Sequence, residues 1–170
     1  GPERSATLVV HDVGDFVASF VPSQADFGRI DPRFVLSKDV WAKLPQYSNY
    51  GFAVFQLKEL RGSPHPIAFE FDTRTPDSIF FPTVHIHDGT VHDKDEFDHV
   101  LYTQDAVFDQ RAGSDDGGTV DSDTGFVRSK GKAQTFTAPA LSQGLLAADL
   151  LVLRRTLKGT HPNRDTTFDF

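Results

Sequence analysis

Three of the seven histidines in this chain lie within eight positions of one another, in the sequence HIHDGTVH at residues 85–92. Neutral imidazole is a ligand of zinc, copper and iron, and it also accepts and donates protons near neutral pH. Three imidazoles that converge on one ion leave another position open to water or substrate, which is the arrangement of catalytic zinc sites. The spacing of these histidines therefore decides which chemistry is available to them.

The Asp88-Gly89 pair predicts a register that brings the histidines together. Asp-Gly is one of the strongest two-residue hairpin signals, because a type I′ turn needs a positive φ at both central positions. In that register His85 faces His92, and His87 lies on the same face, with about 5 to 7 Å between Cβ atoms. The opposite face of the predicted hairpin is then entirely apolar, which supports this register.

We therefore expect His85, His87 and His92 to bind one divalent transition ion, with His99 or a nearby aspartate as the fourth ligand. Zinc, copper and iron all suit imidazole ligands. The function that such a site predicts is a metal-binding β-rich domain, and a metal-dependent hydrolase or oxidase is the enzyme class it would support.

Two other interpretations of the same histidines stay open. They could form a solvated hairpin face, or a polar network that binds an organic ligand with histidine as hydrogen-bond donor or general base. The alternative function is a non-catalytic extracytoplasmic interaction or ligand-binding module with a solvated histidine face, which would bind a ligand, a protein or a glycan. The expected partner is thus a small molecule or a protein, and the sequence leaves the oligomeric state open.

Composition excludes several function classes. The chain has no cysteine, which rules out a disulfide framework, a zinc ribbon and a thiol nucleophile. Its formal net charge of -7 repels polyphosphate, so nucleic acid is not an expected partner. No run approaches the roughly 18 apolar residues that a membrane-spanning helix needs.

The length of 170 residues predicts a single domain. We expect this β-rich domain to occupy residues 3–170, with an acidic, glycine-rich loop at 112–124. The leading Gly1-Pro2 looks like the remnant of a tag cleavage. The compartment is left open by the sequence, and our expectation leans toward an extracytoplasmic one.

Short apolar runs predict a mainly-β fold. The 16 phenylalanines are often flanked by valine and threonine, which is typical of pleated, half-buried strands. With regular turn signals, the runs predict a sandwich or open barrel of about seven to nine short strands, with one or two helices packed on it. The predicted strand regions are 7–21 (a hairpin), 51–60, 65–72, 78–87, 91–104, 125–128 and 133–137.

Helix signals occur in three places. Ser37 is a candidate N-cap for a short helix over 37–44. Leucines at helical spacing predict a longer helix over 145–158, and the alternative fold is an α+β domain in which this C-terminal helix covers one sheet face. The β-rich sequence LVLRRTL within it keeps a strand open as the other possibility. Finally, a capping box at 93–96 predicts a helix, whereas a strand there would put Phe97 and His99 on one face.

Overall fold

The computed structural model describes residues 7–59, 65–86, 90–111 and 120–169, and within them the protein is mainly β. The described strands form three small antiparallel sheets, which confirms the predicted fold class. The chain divides into two compact units. Unit 1 comprises the described residues of Gly1–Ile67 and His87–Val91, and unit 2 those of Ala68–Ile86 and His92–Phe170.

Unit 1 contains a three-stranded sheet of order β1-β2-β3. Its strands are β1 (His11–Val13), β2 (Phe16–Val21) and β3 (Phe52–Leu57). Gly14, with a φ of 58°, turns the chain between β1 and β2, so the predicted hairpin is confirmed. An apolar core packs against this sheet, and its buried members are Val21, Phe27, Ile30 and Phe34.

Short helices connect β2 to β3 in unit 1. Helix α1 (Lys38–Ala42) begins after Ser37, whose hydroxyl accepts a hydrogen bond from the Val40 N–H at 3.4 Å. The predicted helix and its N-cap are therefore confirmed. Three 3₁₀ turns flank it, at Gln24–Arg29, Pro32–Phe34 and Pro45–Tyr47.

Unit 2 contains two further sheets. Strands β4 (Ser78–Phe81) and β8 (Thr166–Asp169) form one, and the other has the order β5-β7-β6. The latter strands are β5 (Lys94–Thr103), β6 (Val127–Arg128) and β7 (Leu153–Pro162). Helix α2 (Ala106–Arg111) and 3₁₀ turns at Ala133–Thr135 and Pro139–Ser142 complete the unit. Its buried core residues are Ile79, Phe108, Phe126 and Leu153.

Strands β5 and β7 pair along ten residues and place alternate side chains on one inward face. On β5, Phe97 is buried and His99 is partly buried, while their immediate neighbours are exposed. On β7, Leu153 and Leu157 are buried, and Arg155 between them is partly buried. This face carries the candidate site.

The predicted helix over 145–158 is wrong, and so is the α+β alternative that depended on it. Residues 153–162 form β7 instead, as the strand interpretation of LVLRRTL had it. The leucines at 153 and 157 fit both periods, but the ladder to β5 satisfies the backbone of the whole segment and buries them both.

Three shorter predictions are also wrong. Residues 65–72 form no strand and are all exposed, and Pro66 has no N–H to donate to a ladder. The segment 133–137 contains a 3₁₀ turn in place of the predicted strand. The capping-box helix at 93–96 is absent because β5 begins at Lys94 and pairs with β7, as the strand alternative for this segment predicted.

The described helices have six residues or fewer, and none of them is long and apolar enough to cross a membrane.

Candidate functional site

Two of the predicted ligands meet in unit 2. His99 lies on the inward face of β5, and His85 lies four residues beyond the end of β4 in a segment without regular structure. Their Nε2 atoms are 2.6 Å apart, and the two ring planes are nearly perpendicular at 86°. At this distance one nitrogen must carry a hydrogen and the other must accept it, since two N–H groups or two lone pairs would repel.

The turn between β7 and β8 holds the backbone of His85 in place. The His85 N–H donates to Oδ1 of Asn163 at 2.7 Å, and Nδ2 of Asn163 donates to the His85 carbonyl at 2.9 Å. Two residues earlier, the Thr83 N–H donates to Oδ1 of Asp165, and the Thr83 hydroxyl donates to the Arg164 carbonyl. Side-chain hydrogen bonds thus replace the strand ladder that the sequence predicted here.

A buried phenylalanine lies against both rings of the pair. The ring of Phe97, which is only 3% exposed, stacks on His85 with 4.3 Å between centroids and 20° between planes. It meets His99 edge-on at 5.5 Å and His161 edge-on at 5.7 Å. These contacts restrict the orientation of the imidazoles, so the approach of the two Nε2 atoms is a packed arrangement.

The other predicted ligands are placed differently. His87 and the turn residues 88 and 89 lie outside the described residues. His92 is exposed, and neither 82–86 nor 90–93 is in a strand, so the predicted strand pairing of His85 with His92 is not formed. Within the described ranges, no group of three or more histidine, aspartate or glutamate side chains is arranged to hold a metal ion. The structure therefore brings together His85 and His99 from the predicted set.

Sequence reasoning missed Asn163, and it missed the packing of Phe97 on His85. Asn163 lies 78 residues from His85, and no local pattern links the two. The period of two along 97–101 was the available signal for Phe97, because it places Phe97 beside His99 once that segment is a strand.

The same inward face borders a cavity of about 530 Å³. Phe97, Leu157 and His161 line it on one side, and the β8 residues 166–168 line it on the other. The Arg155 guanidinium also lines this cavity, and partial burial lowers the pKa of that group. A ligand in this cavity would thus touch both charged and aromatic groups.

Comparison with known proteins finds no matching family model, no matching curated protein and no matching solved structure.

Proposed function

We propose that unit 2 binds a divalent transition-metal ion through Nε2 of His85 and Nε2 of His99. The observation that supports this function is the 2.6 Å approach of the two nitrogens. Two nitrogens that are each ~2.0–2.1 Å from a tetrahedral ion are roughly 3.3 Å apart. The rings would therefore have to separate by less than ~1 Å to admit the ion between them.

Two imidazoles leave further coordination positions for other ligands. We propose that His92 or a nearby aspartate supplies a third ligand and that water or substrate takes the fourth position. Zinc in such a site activates water for hydrolysis, whereas copper or iron supports oxidation. The proposed enzyme class is accordingly a metal-dependent hydrolase or an oxidase.

Asn163 is the proposed positioning residue for this site. It touches the backbone of His85 and not the ring, so its loss would leave both ligands in the chain but release the segment that carries one of them. Outer residues that orient metal ligands typically contribute 10- to 100-fold in affinity.

Metal titration tests the proposal. The protein, freed of any histidine tag and stripped on a chelating resin, is titrated with zinc and with copper by isothermal calorimetry. We expect micromolar or tighter binding by the parent protein and a loss of roughly 100-fold or more in His85→Ala and in His99→Ala, because each removes a direct ligand. His11→Ala is the matched control, since His11 is exposed on β1 of unit 1, and its affinity should equal that of the parent.

Three outcomes would contradict the proposal. Binding by the parent no tighter than millimolar would exclude the site, as would an equal loss of affinity in His11→Ala. Normal affinity in His99→Ala, together with losses in His87→Ala and His92→Ala, would assign the ion to the hairpin set. The affinity of the parent protein for the metal should in addition fall as the pH falls, because protonated imidazole cannot bind a metal.

A further inference from the structure

Arg155 has an unusual environment for a charged side chain. Its Cζ lies 4.5 Å from the centre of the Phe168 ring, and Nε is enclosed without a hydrogen-bond partner. Within the described part of the chain the guanidinium forms no ion pair, and burial alone shifts its pKa downward. Partly buried charges normally have a partner, because removing a charge from water is unfavourable.

The chain has enough carboxylates to pair with Arg155. The chain has 24 acidic residues against 17 basic ones, yet none of the described acidic side chains pairs with Arg155. The backbone also leaves space for this side chain: Gly125 has a φ of 72°, and a Cβ there would lie 2.8 Å from Nη1 of Arg155. The local structure thus accommodates the guanidinium without neutralising it.

Phe168 covers one side of the guanidinium and Nε is enclosed, so the two terminal Nη groups are the donors that remain for a ligand. A guanidinium that lies over an aromatic ring uses its flat face, while its N–H groups point outward in the plane. These in-plane donors match the two oxygens of a carboxylate. The adjoining cavity has the size of a small-molecule site, since such sites usually measure roughly 300–1,000 Å³.

The cavity lining is aromatic and basic around Arg155. Phe168 is partly exposed and supplies aromatic surface, while Phe97 is 3% exposed and contributes only a small part of the lining. Arg164 supplies a second positive charge at the exposed rim. Asp165 is the single carboxylate among the lining residues, and its Oδ1 already accepts the hydrogen bond from the Thr83 N–H. An anion with an apolar body would therefore find a positive charge for its anionic group and aromatic surface for its apolar part.

We propose that Arg155 anchors a binding site for a small organic acid in this cavity. The carboxylate of the ligand pairs with the guanidinium, and its apolar part lies against Phe97 and Phe168. The site requires no metal, so it goes beyond the proposed metal function and can be tested independently of it.

Titration of simple anions tests this site. Metal-stripped ¹⁵N-labelled protein is titrated with sodium benzoate, sodium acetate and sodium phosphate, with sodium chloride at matched ionic strength as the blank. The readouts are the Arg155 Nε–H resonance and the backbone resonances of residues 164–168. We expect saturable benzoate binding that is at least tenfold tighter than that of acetate, and a response to phosphate no larger than that to chloride.

Two arginine variants provide matched controls. Arg155→Gln should weaken benzoate binding at least tenfold, whereas Arg154→Gln, one position away on the exposed face of β7, should leave it unchanged. If Arg155→Gln fails to fold, the Nε–H resonance in the parent protein still reports binding. Shifts that only match chloride, phosphate binding equal to that of benzoate, or an equal loss in Arg154→Gln would each overturn the proposal.

Discussion

The two units differ in how their charged and polar side chains are paired. In unit 1 three ion pairs lie on the surface with N–O distances of 2.6 to 2.8 Å, namely Asp26–Arg29, Asp31–Arg33 and Asp12–Lys58. Two of these carboxylates accept a further hydrogen bond, Asp26 from the Ser23 hydroxyl and Asp31 from the Arg33 N–H. Charge in these pairs remains near water and next to charge of the opposite sign.

Unit 2 also has a surface ion pair, Asp98–Lys158 at 3.7 Å, but in addition it encloses polar atoms that find no partner in the described protein. Nε of Arg155 and Oδ1 of Asp109 are both buried and make no hydrogen bond. The same unit also brings two histidine ring nitrogens to 2.6 Å from each other. The two buried atoms without a partner are unfavourable for folding. The histidine pair is satisfied only while one of its two ring nitrogens carries the shared hydrogen.

This difference is the reason why we propose that the binding site lies in unit 2. Groups that reduce stability without a partner are typical of binding and catalytic sites, whereas paired surface charges are accounted for by folding and solubility. Three experiments test whether the stability of each unit comes from the contacts assigned to it.

The largest effect is expected in the apolar core of unit 2. Phe126 is 1% exposed and packs edge-on against Phe108 and Phe168, with centroids 5.3 and 4.9 Å away. Phe126→Ala should lower the free energy of unfolding by about 3–5 kcal/mol in urea denaturation. Phe136→Ala is the control, since that ring is 56% exposed and its loss should change stability by less than about 0.5 kcal/mol. Equal effects would show that this cluster does not stabilise unit 2.

An intermediate effect is expected at the hairpin of unit 1. The positive φ of Gly14 disfavours any side chain, and a Cβ there would overlap Nε2 of His65, which accepts the Asp15 N–H at 2.9 Å. Gly14→Ala should therefore cost about 1–3 kcal/mol of unfolding free energy. Gly28→Ala, where a Cβ meets nothing within 4 Å, should change stability by no more than about 0.5 kcal/mol. A tolerated Gly14→Ala would mean that the His65 contact does not define the turn.

The smallest expected effect is a change in melting temperature when one aspartate in each unit is replaced by asparagine, and its sign is opposite in the two units. Burial raises the pKa of Asp109, so its folded form holds a proton more tightly and stability falls as pH rises through its folded pKa. Arg33 lowers the pKa of Asp31, so that carboxylate stabilises the fold above its unfolded pKa, and the benefit is lost as pH falls through its folded pKa. At pH 7, Asp109→Asn should raise the melting temperature slightly and Asp31→Asn should lower it slightly.

Melting curves recorded from pH 3 to pH 8 check both signs. The two differences from the parent protein should shrink toward acid pH, where both carboxyls are protonated. A lower melting temperature for Asp109→Asn at pH 7 would mean that the Asp109 charge is satisfied, and the contrast between the units would be weakened.

Local signals explain which parts of the fold could be predicted from the sequence. The β1–β2 hairpin and the Ser37 cap depend on residues within a few positions of each other, so turn and capping rules suffice. Strand β7 could not be assigned with the same certainty, because Leu153 and Leu157 fit both a helix and a strand. Its pairing with β5, about 60 residues earlier, decides the outcome.

The candidate site could be predicted only in part for the same reason. The three closely spaced histidines at 85–92 pointed to His85, and the short distance along the chain pointed to His99. The hairpin rule, however, predicted His92 as the neighbour of His85. Asn163 and its two hydrogen bonds position the His85 backbone instead, and these contacts bridge 78 residues. Arg155 gave no signal in the sequence, since its lack of a partner is a property of the packed structure.

A count of the imidazole ligands on bound Cu²⁺ shows directly whether His85 and His99 hold the ion. Pulsed electron paramagnetic resonance counts them through the remote ring nitrogens, in protein loaded with one equivalent of Cu²⁺. The parent protein should give at least two imidazoles, His85→Ala and His99→Ala should each give one fewer, and His11→Ala should match the parent. A parent spectrum with one imidazole or none, or an unchanged count in His99→Ala, would contradict the assignment of the metal to this pair.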